Sequence, residues 1–318
     1  MDSEISVKKI FITAPYLHRD RTWVEEHVLS KYNYDFQWIP VEERLSAKEL
    51  SEFIGLADGI ICGDDDFSHD VLTLCDRLRV IVKWGTGIDS IDLEAATARG
   101  IKVRRTPGAF TIPVAETTLA LILNHYRNIS VNQAVFRGGE WDKPTGECIE
   151  GKTAGLIGFG DIGKQVAILL RAFKVNVRVY DTRVVSDAEL DLASATFCDL
   201  DELYATSDII SLHCDLNKGS ECLISAKALS KMIKIPYLIN TARGGLMDYD
   251  ALLDALNSGK LAGCGLDVFD NEPLHADHPL RRHHLVTASC HNSNSSPRHW
   301  RKIHVNSFQM LADELDCE

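Results

Sequence analysis

The stretch TAGLIGFGDIGKQVAILLRAF, residues 153–173, constrains the fold more than any other part of the chain. Thr153 to Ile157 reads as a buried strand, and Ile162, Val166, Leu169, Leu170 and Phe173 recur at helical spacing. Between them stands GFGDIG. Gly158 permits a tight turn, Gly160 lets the backbone approach a bound group, and Gly163 lets helix and strand pack closely. Strand, glycine turn and helix in immediate succession open a βαβ element of a doubly wound sheet. The helix N-terminus offers N–H groups and the positive end of its dipole, which suit the phosphates of a dinucleotide. Gly158, Phe159, Gly160, Asp161, Ile162 and Gly163 are therefore expected to line a cofactor site, with Asp161 as the helix cap. The next strand, VNVRVYD, ends in Asp181, about twenty residues beyond the turn. A carboxylate there accepts hydrogen bonds from ribose hydroxyls and repels a 2′-phosphate, which favours NAD over NADP. Arg183, two residues on, is a cation that can soften that preference.

The turn sits at the midpoint of the chain, so the first half must be something else. At 318 residues the chain is long for one core, and two domains are expected. KKIFITA, YDFQWIPV, DGIICG, RVIVKWG and IKVRR read as strands. They alternate with the helical stretches RTWVEEHVLSKY, SAKELSEFIGLA, HDVLTLCDRL and IDLEAATARG. That alternation is a complete parallel sheet with helices on both faces. PVAETTLALILNHYRNISVNQAVF follows as one long helical pattern opened by Pro113, and RGGEWDKPTGECIEGK is a loop. After the glycine turn, DIISLHC, PYLINTA, GCGLDVF and HLVTAS are further strands, and SPRHWRKIHVNSFQMLADEL is a last amphipathic helix. The fold class is α/β: two doubly wound parallel-sheet domains with a ligand cleft expected between them.

Bulk properties narrow the partners. Net charge is −12, which argues against nucleic acid and anionic membranes, since both demand a basic face. No run of about 18 apolar residues spans a membrane, and MDSEISVKKIFITAP lacks the pattern of a secretory signal. The nine cysteines are scattered and form no C-x-x-C pair, so neither a metal site nor a disulfide framework is expected. Reduced thiols in a cytoplasmic protein are the simplest reading.

Three stretches carry chemistry. INTARGGLMD holds Arg243, GLDVFDNEPL holds Glu272 and TASCHNSNSS holds His291, each just beyond the end of a strand. In a parallel sheet, ligand chemistry gathers at those ends. An arginine fork can hold a carboxylate and a neighbouring carbonyl together. Histidine delivers a proton near neutral pH, and a carboxylate bonded to it favours the proton-bearing form. The set suits carbonyl reduction, with the hydride supplied by the cofactor. His283 and His284, in RRHHLV, read instead as the solvated approach to a strand.

These motifs together resemble the D-isomer-specific 2-hydroxyacid dehydrogenases, and the resemblance covers essentially the whole chain. VKWGTGIDSIDLEAATARGIKV is similar to the family's substrate-loop segment, and TPGAFTIPVAETTLALIL to its domain-crossing helix. GFGDIG, NTARGG and LDVFDNEP follow in the family's order. The resemblance implies a flavodoxin-like substrate domain, 1–107 with 292–318, and a Rossmann NAD domain, 108–291. It implies Arg243 as the substrate anchor, His291 as proton donor and Glu272 as its partner. Backbone N–H groups of Gly85, Thr86 and Gly87 would hold the substrate carboxylate. Asp267 would contact the nicotinamide amide, and His213, Cys214, Thr241 and Ala242 would line the cofactor side. A homodimer, through the long helix near 112–136 and the loop after it, is also implied.

Two departures stand out. Cys290 occupies the place where the family usually has proline before its histidine. Phosphoglycerate-type members carry arginines after the third strand, where this chain reads IICGDDDFS. Asp64, Asp65 and Asp66 read as a solvated acidic loop that disfavours a phosphorylated substrate, and no C-terminal regulatory extension is expected. The substrate expected is a small 2-oxo or D-2-hydroxy acid. Alternatives within the same fold are phosphite or phosphonate-linked oxidation and a non-enzymatic NAD(H) sensor; Glu272 argues against the formate branch, which has an amide there.

Overall fold

The computed structural model describes residues 7–317. The chain divides into two compact units, Met1–Phe110 with Ser296–Glu318, and Thr111–Ser295.

The first unit holds a five-stranded parallel sheet: β1 (Lys9–Ile12), β2 (Asp35–Trp38), β3 (Gly59–Cys62), β4 (Val80–Lys83) and β5 (Lys102–Arg105). Its order, β2-β1-β3-β4-β5, is the flavodoxin-like one. GIIC and VIVK are buried at every position because helices cover both faces of the sheet centre. KVRR, at the edge, is mostly exposed, and its charges protect that edge from further pairing. The helix Pro297–Asp316 returns from the far end of the chain and seats Trp300, Ile303, Phe308, Leu311 and Leu315 in this unit's core. An ion pair from Arg104 to Glu314 ties it to β5.

Helices here are shorter than the periodicity predicts. SAKELSEFIGLA forms a helix only over Ala47–Ser51, opened by a Ser46–Glu49 capping box, then tightens to a 3-10 turn at Ile54–Leu56. The chain must turn there to bury Ile54 and still enter β3 three residues past Leu56.

The second unit holds seven parallel strands: β6 (Thr153–Ile157), β7 (Asn176–Tyr180), β8 (Ala195–Phe197), β9 (Ile209–Leu212), β10 (Tyr237–Asn240), β11 (Gly263–Leu266) and β12 (Val286–Ala288). The order is β12-β11-β10-β9-β6-β7-β8. The chain leaves β6 toward one edge and then returns to build the other, so the direction of winding reverses between β6 and β9. A crevice opens at such a switch point, outside the carboxyl ends of the strands. The edge strand β8 is three residues long and was not foreseen.

The expected long helix is two helices, Thr111–Tyr126 and Ile129–Arg137. Asn128 breaks it in the left-handed conformation, φ 50°, which asparagine tolerates better than most residues. Two side-chain interactions hold the break. Asn124 Oδ1 accepts from the N–H and hydroxyl of Ser130 at 2.9 and 2.7 Å, and Asn128 Nδ2 donates to the Thr145 carbonyl at 2.6 Å.

Candidate active site

All the second unit's predicted residues lie just past the carboxyl ends of its strands. Gly158 follows β6 with φ +97°, and its N–H donates to the Tyr180 carbonyl at 2.8 Å. A Cβ there would lie 2.5 Å from the His213 backbone, and one on Gly163 would lie 2.2 Å from the Gly158 carbonyl oxygen. Side chains at these positions would force the helix Asp161–Ala172 off the strand. Gly160 is that helix's cap, so Asp161 is its exposed first residue and not the cap that the sequence suggested. Nothing stands within 4 Å of a Cβ on Gly160, which leaves its backbone open to a close-lying group. Phe159 is fully buried and anchors the turn, and Ile162 is half-buried on the helix.

The Phe159 N–H donates to Asp181 Oδ2 at 2.7 Å, and the Arg183 N–H donates to Oδ1 at 3.0 Å. The carboxylate that ends β7 is thereby aimed by the glycine turn itself. His213 continues β9: its N–H donates to the Ile157 carbonyl at 2.7 Å, and Nε2 lies 2.9 Å from Ser211 Oγ. Burial pushes this imidazole down to about 3 and the neighbouring Cys214 thiol up to about 11, so both are uncharged near neutral pH. An open-backed glycine turn at a helix N-terminus, a fixed carboxylate at the next strand end and neutral walls fit a dinucleotide.

Three loops carry the polar set. After β10, buried Asn240 folds the turn back: Oδ1 accepts from the Ala242 N–H at 3.0 Å and Nδ2 donates to the Arg243 carbonyl at 2.8 Å. Buried Thr241 meets Thr118, Oγ1 to Oγ1, at 3.2 Å. A Cβ on Gly244 would lie 1.9 Å from the Phe269 carbonyl carbon, so the Arg243 loop lies directly on the loop after β11. There, Glu272 Oε1 accepts from the Phe269 N–H at 2.8 Å, and Oε2 lies 2.7 Å from His291 Nδ1. Both side chains are about one-fifth exposed, dry enough to strengthen the pair yet open to a ligand.

Asp267 ties two strand ends together. It is fully buried, and both its oxygens are taken by the turn that carries His291. Oδ1 accepts from the Ser289 hydroxyl at 2.5 Å and the Asn292 N–H at 2.9 Å. Oδ2 accepts from both the N–H and the hydroxyl of Ser293. Four donors thus converge on this one carboxylate. His291 itself donates its N–H to the Asp267 carbonyl at 2.7 Å and adopts φ 46°.

The residues 119–293 match the family model described as D-isomer specific 2-hydroxyacid dehydrogenase, NAD binding domain. The chain is 41% identical over 258 residues to a glyoxylate reductase of Thermofilum pendens, covering 79% of this chain and 76% of that one. The chain belongs to the D-isomer-specific 2-hydroxyacid dehydrogenases. A hydroxypyruvate reductase of Thermotoga maritima is 35% identical over 280 residues, 86% of this chain and 90% of that one. The crystal structure of a glyoxylate reductase from Paecilomyes thermophila superimposes with a TM-score of 0.86, at 27% identity, over 98% of this chain and 97% of that one. The protein is an NAD-dependent D-2-hydroxyacid dehydrogenase, and NAD is its cofactor.

In this dehydrogenase the loop Gly85–Thr86–Gly87 follows β4 in the first unit. The Gly85 N–H is already engaged, with Thr106 Oγ1 at 3.1 Å and the Lys83 carbonyl at 2.9 Å. Trp84, just before it, donates Nε1–H to His304 Nδ1 at 2.9 Å and stacks on Tyr16 with ring centroids 4.8 Å apart. Asp64 pairs with buried Lys83 at 3.0 Å. Asp65 is fully buried, accepting from Thr13 Oγ1 at 2.5 Å and the Leu45 N–H at 2.7 Å, and burial pushes it above the ordinary carboxylate range. The three acids are thus not one solvated loop, as their run suggested: only Asp66 points wholly outward. No helix among the described residues is long and apolar enough to cross a membrane.

Proposed function

We propose that this dehydrogenase interconverts a small, unphosphorylated 2-oxo acid of the glyoxylate or hydroxypyruvate class and its D-2-hydroxy acid. The observation that carries the reading is the His291–Glu272 pair at 2.7 Å. Glu272 fixes the ring by accepting from Nδ1–H, which turns Nε2 into the exchanging position. In the reduction, His291 Nε2 gives its proton to the substrate carbonyl oxygen and Glu272 steadies the ring throughout. Arg243 holds the carboxylate and the carbonyl oxygen, drawing charge toward the atom that becomes the alkoxide. Thr86 and Gly87 N–H groups add to the carboxylate's hold. Bound NADH supplies the hydride to the carbonyl carbon. Gly158 to Gly163 would seat the pyrophosphate, Asp181 the adenosine ribose, and His213, Cys214, Thr241 and Ala242 the neutral wall.

The glyoxylate and hydroxypyruvate reductases among the relatives support the substrate class, as does the loop after β3, which offers exposed Asp66 and no arginine to a phosphate. A homodimer in the cytoplasm completes the proposal. Phe136 and Trp141, in and after the helix Ile129–Arg137, are 70% and 82% exposed, an apolar area suited to a second copy, and all nine cysteines are free thiols. The test is NADH oxidation with glyoxylate, pyruvate, hydroxypyruvate and 3-phosphohydroxypyruvate. Turnover is expected on the small acids and not on the phosphorylated one. Tight NADH binding with no turnover, or equal use of the phosphorylated acid, would overturn the reading.

A further inference from the structure

Arg183 stands where a dehydrogenase that accepts NADP would need a cation, two residues past the carboxylate that closes β7. Its two terminal nitrogens are committed elsewhere. Nη1 donates to Glu189 Oε2 at 3.1 Å and Nη2 to Glu189 Oε1 at 2.9 Å, a two-pronged match of guanidinium to carboxylate. Nη2 also donates to the Phe159 carbonyl at 2.6 Å, and Nη1 to the Val184 carbonyl at 3.3 Å. The remaining Nε lies 3.7 Å from Asp181 Oδ2. Both terminal nitrogens of the guanidinium are therefore engaged twice over, and one of their partners is the backbone of the glycine turn.

Glu189 is equally held. Its Oε2 accepts from the Ser186 N–H at 3.1 Å and the Ser186 hydroxyl at 3.0 Å, completing a capping box on the helix Asp187–Ala193. Lys164 donates to Oε1 at 3.3 Å. These contacts, the Arg183 bond foremost, hold the carboxyl well below the ordinary range, so it is ionised at any working pH.

We infer that Glu189 is a specificity-determining residue: it locks Arg183 onto the glycine turn and so withholds from a 2′-phosphate the guanidinium nearest Asp181. NADP is rejected twice, by the charge of Asp181 and by the sequestration of Arg183. The inference rests on the reading of Asp181 as the ribose ligand. In this arrangement Arg183 serves the turn, not the ligand. A sequence that carries both an acid and an arginine at this strand end would otherwise promise mixed cofactor use.

The experiment measures kcat/KM for NADPH and NADH with a saturating 2-oxo acid in four variants. Glu189→Gln keeps an acceptor for the helix cap but loses the charge that holds the arginine. The NADPH/NADH ratio should rise about tenfold, the yield of one freed charge-assisted contact. Arg183→Met alone should leave the ratio within about twofold of the parent, because the arginine is not serving NADP there. The double variant should lose most of the gain. An unchanged ratio in Glu189→Gln, a gain that survives in the double variant, or a severalfold fall in Arg183→Met would each overturn the inference. Asp181→Ala separates the two readings: a raised ratio there with none in Glu189→Gln defeats only the role of Glu189, whereas no change in Asp181→Ala defeats the ribose assignment itself. Should Glu189→Gln fail to fold, Arg183→Met decides alone.

Discussion

Ser293 donates both its N–H and its hydroxyl to a single oxygen of Asp267, inside a loop that has every appearance of a polar surface turn. The contact joins the end of β11 to the turn holding His291, so the proposed acid/base group is positioned by a carboxylate that need not touch the substrate. Replacing Ser293 with Ala leaves one buried acceptor position unfilled, a cost of about 1–3 kcal/mol. The expected result is a severalfold fall in kcat with NADH affinity little changed. Asp267→Asn sets an amide N–H against these donors and should cost more than 100-fold. Steady-state kinetics beside NADH fluorescence titration check both, and a loss of NADH affinity without loss of kcat would point instead to the amide-contact role.

His291→Ala should abolish reduction while NADH still binds within a few-fold of the parent. Glu272→Gln retains an acceptor for the ring, so it should lose less activity than Glu272→Ala, which frees the imidazole to rotate. Equal rates for the two Glu272 variants would contradict a positioning role for that side chain.

Gly244→Ala tests the seam between the Arg243 loop and the loop after β11. A methyl group set 1.9 Å from the Phe269 carbonyl carbon has no flexible neighbour to displace. Destabilisation of roughly 3 kcal/mol or more is expected, with loss of activity, measurable as a fall in Tm and in turnover. A variant as stable as the parent would show that the two loops are not in contact.

His304 gives the first unit a pH-dependent stability. The ring is fully buried; Trp84 donates to its Nδ1, Nε2 lies 3.8 Å from Asp20, and Trp23 and Arg301 face it as well. Burial, only partly opposed by Asp20, pushes it from 6.5 down to about 4. Between those values the unfolded chain binds a proton that the folded ring does not. Stability therefore rises with pH through that window, is fully present above 6.5, and is lost as pH falls, by up to roughly 3 kcal/mol. His304→Gln keeps an acceptor for Trp84 and should flatten the Tm profile between pH 4 and 6.5. His213, pushed to about 3, acts in the same sense in the second unit, so the comparison is between variant and parent.

Parts of this architecture are legible because backbone chemistry demands particular residues. GFGDIG could be read directly, since no residue with a Cβ fits Gly158 or Gly163, and GIIC and VIVK read as central strands because both their faces are apolar. Arg243, Glu272 and His291 could be placed by their positions past strand ends. The break at Asn128 could not, because the helical pattern runs on through it and the deciding bonds come from Asn124 and Thr145. Strand β8 is too short for a period to emerge. The partners of Asp65 and Asp267 could not be read, for one shared reason. Both acids are satisfied by donors distant in sequence, Thr13 and Leu45 in one case and Ser289 to Ser293 in the other, and only the folded chain brings those together.

The helix Pro297–Asp316 has a consequence for how the molecule is made. It supplies Trp300, Phe308 and Leu311 to a core whose strands all lie before residue 106, so on the ribosome that sheet waits, the seat of this helix empty, while the whole contiguous stretch 111–295 is synthesised and can close on itself. The portion translated earliest is the one completed last.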